Sequence, residues 1–203
     1  MSPRIAILDY GMGNLRSVEK AFEHVGADSE ITRDHERVRA CDGVVLPGVG
    51  AFPKAMEEVR RLGYDGLLRE LVAAGRPVLG ICLGMQLLFE TTTELGGDEG
   101  IGLLPGPVEQ LEANGLKVPH IGWNPVGWQA ESELSAGLAD PTAFYHVHSF
   151  APRPRDPSHV LGTATYGSEF VTAVASPPVY GVQFHPEKSG PDGLRLLANF
   201  VAL

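Results

Sequence analysis

The sequence predicts an α/β fold: one domain over residues 1–203, built in three layers, with a mostly parallel central sheet flanked by helices and antiparallel strands added from the second half. Three observations predict it. In the first half, short continuous apolar runs alternate with stretches of helical periodicity, the pattern of βα units whose sheet is covered on both faces. In the second half, strand-like runs are separated by Gly/Pro-rich turns with almost no helical periodicity between them. The 203 residues, 43% hydrophobic and 20% charged, suffice for one sizeable core and are too few for two comfortable domains.

Each element has its own signal. RIAILDY (Arg4 to Tyr10) reads as the first strand. In NLRSVEKAFEHVG, Leu15, Val18, Phe22 and Val25 recur at helical spacing, with Asn14 at the N-cap and Gly26 as the stop. GVVLPGVG (Gly43 to Gly50) is a second buried strand with its exit turn, followed by helices containing AMEEVRRL and LLRELVAAG. PVLGIC is a third strand, running into a helix at MQLLFE. The later strands are VPHIGWNPVGW, AFYHVHSF, HVLGTATYG and FVTAVASPPVYGVQF, and PRPRDP (Pro152 to Pro157) is an exposed loop. GLRLLANFVAL closes the chain as a helix packed through Leu194, Leu197 and Val201.

Composition narrows the function classes. Sixteen basic against twenty-five acidic residues give a net charge of -9, which argues against a nucleic-acid footprint or a polybasic membrane patch. Small molecules and proteins are the expected partners. The chain begins directly with a strand-like run, without an apolar signal segment, and no stretch approaches the ~20 apolar residues of a membrane span, so a cytoplasmic location is expected. Cys41 and Cys82 are the only cysteines, so thiol chemistry is expected and a disulfide framework is not.

Gly80-Ile81-Cys82-Leu83-Gly84 has the form of a nucleophile elbow with cysteine in place of serine. The glycines permit a sharp strand-to-helix turn, and the partial positive charge at the start of the following helix favours a thiolate. The elbow puts Cys82 at the carboxyl end of a parallel strand, where open α/β sheets hold ligands. A buried structural thiol would use the same small neighbours. Near the far end, VYGVQFHPEKSG offers a base: His185 and Glu187, two residues apart on a segment that Pro186 keeps extended, leave on one side, so the carboxylate can hold one ring nitrogen while the other faces the cysteine. A surface turn with a solvated glutamate is the plain alternative. Pro47-Gly48-Val49-Gly50 follows a strand, and the backbone N–H of Val49 together with that of Leu83 would serve an oxyanion, although an ordinary strand exit has the same composition. Two other motifs lead nowhere: Gly11-Met12-Gly13 lacks the third glycine of a dinucleotide fingerprint, Arg16 standing in its place, and His146-Val147-His148 has no nearby carboxylate or cysteine to complete a zinc set.

GICLGMQLL followed by HPE resembles the triad-type, class I glutamine amidotransferases, and the resemblance covers nearly the whole chain. LDYGMGNLRS, PGVGAF, HIGWN, HVHSF and GVQFHPEKSG are similar to the branch of that family formed by the glutaminase subunits of imidazole glycerol phosphate synthases, in histidine biosynthesis. The resemblance implies a class I amidotransferase-like fold and the following roles: Cys82 attacks the glutamine amide, His185 protonates the departing ammonia, and Glu187 orients His185. It places Gly50, Gln86, Glu94, Ser149 and Phe150 around the glutamine; Gln86 read alone could equally be a polar helix-start residue with a local backbone bond. It implies no cofactor or metal. It implies that ammonia passes to a partner (βα)8-barrel cyclase subunit in a heterodimer, yielding imidazole glycerol phosphate and the aminoimidazole carboxamide ribonucleotide. A chain of this length leaves nothing over for an acceptor domain, which agrees with a partner. Asn14, Trp123, Asn124 and Lys188 fall in segments resembling the docking face; core packing would also account for Trp123, and a solvated lysine for Lys188. Two competing readings are a glutaminase feeding another synthase, opposed by HIGWN and LDYGMGNLRS, and a non-catalytic subunit, opposed by the intact Cys82, His185 and Glu187.

Overall fold

In the computed structural model, which describes residues 2–203, the chain opens with the expected βα unit: β1 (Arg4–Leu8), α1 (Leu15–His24) and β2 (Asp28–Thr32). Next come α2 (His35–Arg39), β3 (Gly43–Gly48), α3 (Phe52–Arg61), α4 (Tyr64–Ala73), β4 (Val78–Cys82) and α5 (Leu83–Leu87). The rest is β5 (Phe89–Thr92), β6 (Asp98–Glu99), β7 (Leu104–Gln110), β8 (His120–Trp128), β9 (Thr142–His148), β10 (Phe150–Pro152), β11 (Val160–Tyr166), β12 (Ser168–Ser176), β13 (Val179–Val182) and α6 (Gly190–Val201).

Nine strands form the central sheet in the order β2-β1-β3-β4-β13-β12-β11-β8-β9. The pairs from β2 to β13 are parallel, and those from β13 to β9 antiparallel. Every residue of β3 and β4 is buried, as their uninterrupted apolar runs require. Alternation along the strands divides the core between the two faces. Ala6, Leu8, Val44 and Leu46 pack against α3 and α4 through Met56, Val59, Leu67 and Leu68. Ile5, Ile7, Val45 and Leu79 pack against α1 and α6 through Val18, Phe22, Leu197 and Phe200. Each fully buried side chain of this size contributes roughly 1.5–3 kcal/mol of transfer free energy.

Three local expectations change. The helix after the elbow stops at Leu87, because Leu88 turns the chain by accepting from Leu103 and Leu104 N–H and Phe89 enters β5. That strand belongs to a second sheet, β10-β7-β5-β6, which the strand pattern in the sequence does not reveal. In α6 the fully buried side chains are Leu196, Leu197 and Phe200, while Leu194 and Val201 are half-buried beside them. Asn14 does occupy the N-cap position of α1, but its side chain makes no capping bond.

Candidate active site

The parallel strands β1, β3, β4 and β13 end at one edge of the sheet, and this topology brings Tyr10, Gly48, Cys82 and the His185 segment together. At the elbow Cys82 adopts φ 55° and ψ -114°, a conformation that costs a non-glycine residue about 1–3 kcal/mol. The turn is possible because α5 lies almost on β3: a Cβ at Gly84 would fall 1.7 Å from the Leu46 carbonyl oxygen. Cys82 lies 5% exposed at the floor of a cavity of ≈ 280 Å³. Its sulfur lies 3.7 Å from the Val147 carbonyl and 3.7 Å from Gln183 Nε2.

His185 borders the same cavity, and its Nδ1 lies 2.8 Å from Glu187 Oε1, both side chains being almost wholly buried. The local geometry differs from the sequence expectation. Pro186 does not extend the segment; it opens a helical turn, Pro186–Lys188, in which Lys188 N–H donates to the His185 carbonyl at 3.0 Å. Ser189 Oγ donates to that carbonyl at 2.6 Å and accepts from Tyr145 N–H at 3.0 Å, tying the turn to β9. Burial alone would push the His185 imidazole down, but its contacts with Cys82 and Glu187 outweigh that and hold it up to about 9.

The other expected residues line the cavity: Val49, Gly50, Leu83, Gln86, Glu94, Ser149, Phe150 and Lys188. Gln86 Nε2 donates to the Phe150 carbonyl and to Gln183 Oε1, each at 3.0 Å, which leaves the Gln86 oxygen as the group it can offer a ligand. Glu94 Oε2 accepts from the Phe52 N–H at 2.7 Å, one of the otherwise unpaired donors at the start of α3. The Ser149 carbonyl is bound by Leu111 N–H at 2.9 Å, which fixes that wall to the end of β7. Of the docking candidates, Asn14 and Lys188 are exposed and Trp123 is 58% exposed. Asn124 is 8% exposed and turned inward, its amide 2.9 Å from the Thr165 carbonyl and 3.4 Å from His120 Nε2.

Sequence reasoning did not single out Tyr10, His120 or Gln183. Tyr10 donates to the Pro47 carbonyl at 2.7 Å; burial and the nearby Cys82 push its hydroxyl above the usual tyrosine range. His146 and His148 point to the same face, as their spacing requires, and both are consumed in hydrogen bonds: His146 with the Phe144 carbonyl at 3.0 Å and Thr172 Oγ1 at 2.7 Å, His148 with the Phe150 carbonyl at 2.9 Å and His120 Nδ1 at 3.1 Å. Burial lowers all three rings, His148 to about 3, so the cluster is neutral. Among the described residues no group of three or more His, Cys, Asp or Glu is arranged to hold a metal ion. A second cavity of ≈ 290 Å³ between β7, β10 and β12 is lined by neither cysteine nor histidine.

Comparison with known proteins gives a consistent picture. The family Glutamine amidotransferase class-I matches residues 6–203. Imidazole glycerol phosphate synthase subunit HisH of Bacillus cereus (strain G9842) is 49% identical over 196 residues, 97% of this chain and 93% of that protein. The protein of the same name from Moorella thermoacetica is also 49% identical, and that of Pseudomonas putida 48% identical over 98% of this chain and 96% of its own. Among solved structures, PurLQS from Thermotoga maritima superposes with a TM-score of 0.78 at 18% identity, covering 100% of this chain and 99% of that one. The crystal structure of a glutamine amidotransferase gives 0.74 at 21% identity, covering 98% and 99%. At that identity these two establish the fold alone.

Proposed function

The chain belongs to the class-I glutamine amidotransferase family, and from that premise we propose that it hydrolyses L-glutamine at Cys82 and delivers the ammonia to a synthase partner in histidine biosynthesis. The observation that carries this reading is the meeting of the strained Cys82 elbow with a His185 imidazole already paired to Glu187 at 2.8 Å. The Cys82 thiolate attacks the amide carbon, and the N–H groups of Leu83 and Val49 take the oxyanion. His185 gives its proton to the leaving nitrogen, ammonia departs, and a thioester remains. Water then attacks the thioester with His185 as base, releasing glutamate and restoring the thiolate. Gly50, Gln86, Glu94, Ser149 and Phe150 form the walls that hold the amino acid. Glutamate release by the purified chain with its partner tests the activity.

Glu187 stabilises the charged imidazole without entering the bond changes, so Glu187→Gln is expected to slow hydrolysis less than His185→Ala, which forfeits roughly 10²–10⁴ of acid–base catalysis. The pH profile carries a second signature. A histidine raised to about 9 keeps its proton, and the stability that proton brings is complete below the ordinary value of 6.5 and lost as pH rises through about 9. Activity should fall over that same upper limb, and Glu187→Gln should move it to lower pH. If His185→Ala proved the milder substitution, the base would be misassigned.

The partner in this reading is the (βα)8-barrel cyclase that makes imidazole glycerol phosphate and the aminoimidazole carboxamide ribonucleotide. The curated relatives named above are synthase subunits. A docking face is supported by the outward side of β8 and β9, where Ile121 is 60% and Trp123 58% exposed, opposite Val147 and Tyr145 in register, next to the cavity that Lys188 and Val147 line. No helix among the described residues is long and apolar enough to cross a membrane, and the reading places the pair in the cytoplasm. Lys188→Ala is expected to weaken association or its coupling to activity, more at low salt than at high, as for an interface charge. Unchanged affinity and unchanged stimulation would return Lys188 to the status of a solvated lysine.

A further inference from the structure

Gln183 lies just past the end of β13, two residues before His185, and is wholly buried. Its orientation follows from the one neighbour that cannot change role, the Phe150 carbonyl. A carbonyl only accepts, so Gln86, 3.0 Å away, must present Nε2 to it. That same Nε2 lies 3.0 Å from the Gln183 amide, so Gln183 must present Oε1 there. Its own Nε2 is thereby directed at the Cys82 sulfur, 3.7 Å away. A second arm runs from the same carbonyl. His148 donates to it through Nδ1, so His148 Nε2 accepts from His120 Nδ1 at 3.1 Å, and His120 Nε2 faces the Asn124 amide at 3.4 Å. Reversing Gln86 would set oxygen against the Phe150 carbonyl and reversing Gln183 would set donor against donor, with the Gln183 side chain wholly buried.

Resting on the reading of Cys82 as the glutaminase nucleophile, we infer that Gln183 is a positioning residue that holds an N–H on the Cys82 sulfur, its orientation locked by Gln86 and Phe150 of the glutamine-binding wall. Packing alone does not call for a carboxamide here, since an apolar side chain of the same length fills the same space without a polar group to satisfy. A hydrogen bond to a charged acceptor is stronger than one to a neutral acceptor. The contact therefore favours the thiolate before attack and weakens as the thioester forms. It also links the sulfur to the wall that receives glutamine, so the donor on the nucleophile and the Gln86 oxygen in the cavity are set by one arrangement.

Two substitutions separate these functions. Gln183→Met removes both the donor to Cys82 and the acceptor for Gln86; Gln183→Glu keeps the acceptor and turns the donor into a carboxylate. In a Cys41→Ser background, where only Cys82 can react, alkylation by iodoacetamide is expected to slow roughly 10- to 100-fold in Gln183→Met and further in Gln183→Glu. With the synthase partner present, kcat should fall in both, while glutamine KM rises in the methionine variant and stays near native in the glutamate variant. A folded variant with a lowered thermal midpoint but native alkylation rate would overturn the inference. For the case that neither variant folds, the unsubstituted protein supplies the same test: the side-chain amide resonance of Gln183 in a ¹H–¹⁵N spectrum should move when Cys82 is alkylated, and a resonance that stays put would equally overturn it. A native chain whose Cys82 alkylates normally but which hydrolyses no glutamine even with the synthase partner and its ligand present would refute the glutaminase reading and leave the Gln183 contact standing.

Discussion

Cys82→Ala is expected to abolish glutamine hydrolysis, with a loss on the order of 10⁴–10⁶ in kcat, while fold and partner binding persist. Removing the nucleophile closes the covalent route altogether, whereas the packing lost is one sulfur, which besides its contact with His185 lies 3.7 Å from the Val147 carbonyl and 3.7 Å from Gln183 Nε2. The substitution leaves the backbone cost of the elbow as it is, since alanine keeps the Cβ that crowds the chain at φ 55° and only glycine would relieve it. An electrophilic glutamine analogue should label Cys82 and spare Cys41. The latter donates to the Arg37 carbonyl at 3.3 Å, and burial pushes its thiol up, away from the reactive thiolate. Label found on Cys41, or native hydrolysis by the alanine variant, would remove Cys82 as nucleophile.

The elbow and its partners were legible in the sequence because each is encoded locally. An apolar run that ends at a cysteine between glycines can hardly be anything but a strand exit, and His185 and Glu187 stand two residues apart. What was illegible depends on residues far apart in the chain. The second sheet pairs β7 with β5 and β10, and its central strand, LPGPVEQ, carries two prolines and a glycine that erase any alternation. The polar strand DSEIT of β2 is recruited by β1, not by its own propensity. Gln183 stands inside a motif that is plain in the sequence, yet its role depends on Gln86, 97 residues earlier. The inward turn of Asn124 was available from the start: the period of two that puts Ile121 and Trp123 outside puts His120 and Asn124 inside. Pro186 misled because a proline after an extended histidine serves equally well as the first residue of a helical turn.

The isolated chain is expected to be nearly inactive, and the cyclase with its ligand bound is expected to raise kcat by roughly two orders of magnitude or more, with less effect on glutamine KM. The segment Gly48-Val49-Gly50 is built for such a switch. Tyr10 pins the carbonyl just before it through the 2.7 Å bond to Pro47, and fills the space beneath Gly48, where a Cβ would fall 2.2 Å from its hydroxyl. Downstream, α3 is fixed from its first residue by the Glu94 carboxylate on Phe52 N–H. Between these two anchors Val49 is 43% exposed and Gly50 sits at φ 105°, a conformation that glycine adopts without strain. A rotation of the Gly48–Val49 peptide between the anchors would swing the Val49 N–H onto or off the oxyanion position while leaving the flanking chain in place. Losing one such donor typically costs about 10²–10³ in kcat, so a partner that selects one peptide orientation commands a switch of that size. Because the donor acts on charge that develops only in the transition state, the effect belongs to kcat, and the glutamine walls of Gln86, Ser149 and Phe150 keep KM nearly constant. Glutamate release measured for the chain alone, with cyclase, and with cyclase plus its ribonucleotide ligand should rise in that order. Full activity in the isolated chain would refute the switch and leave the assignment of Cys82, His185 and Glu187 intact.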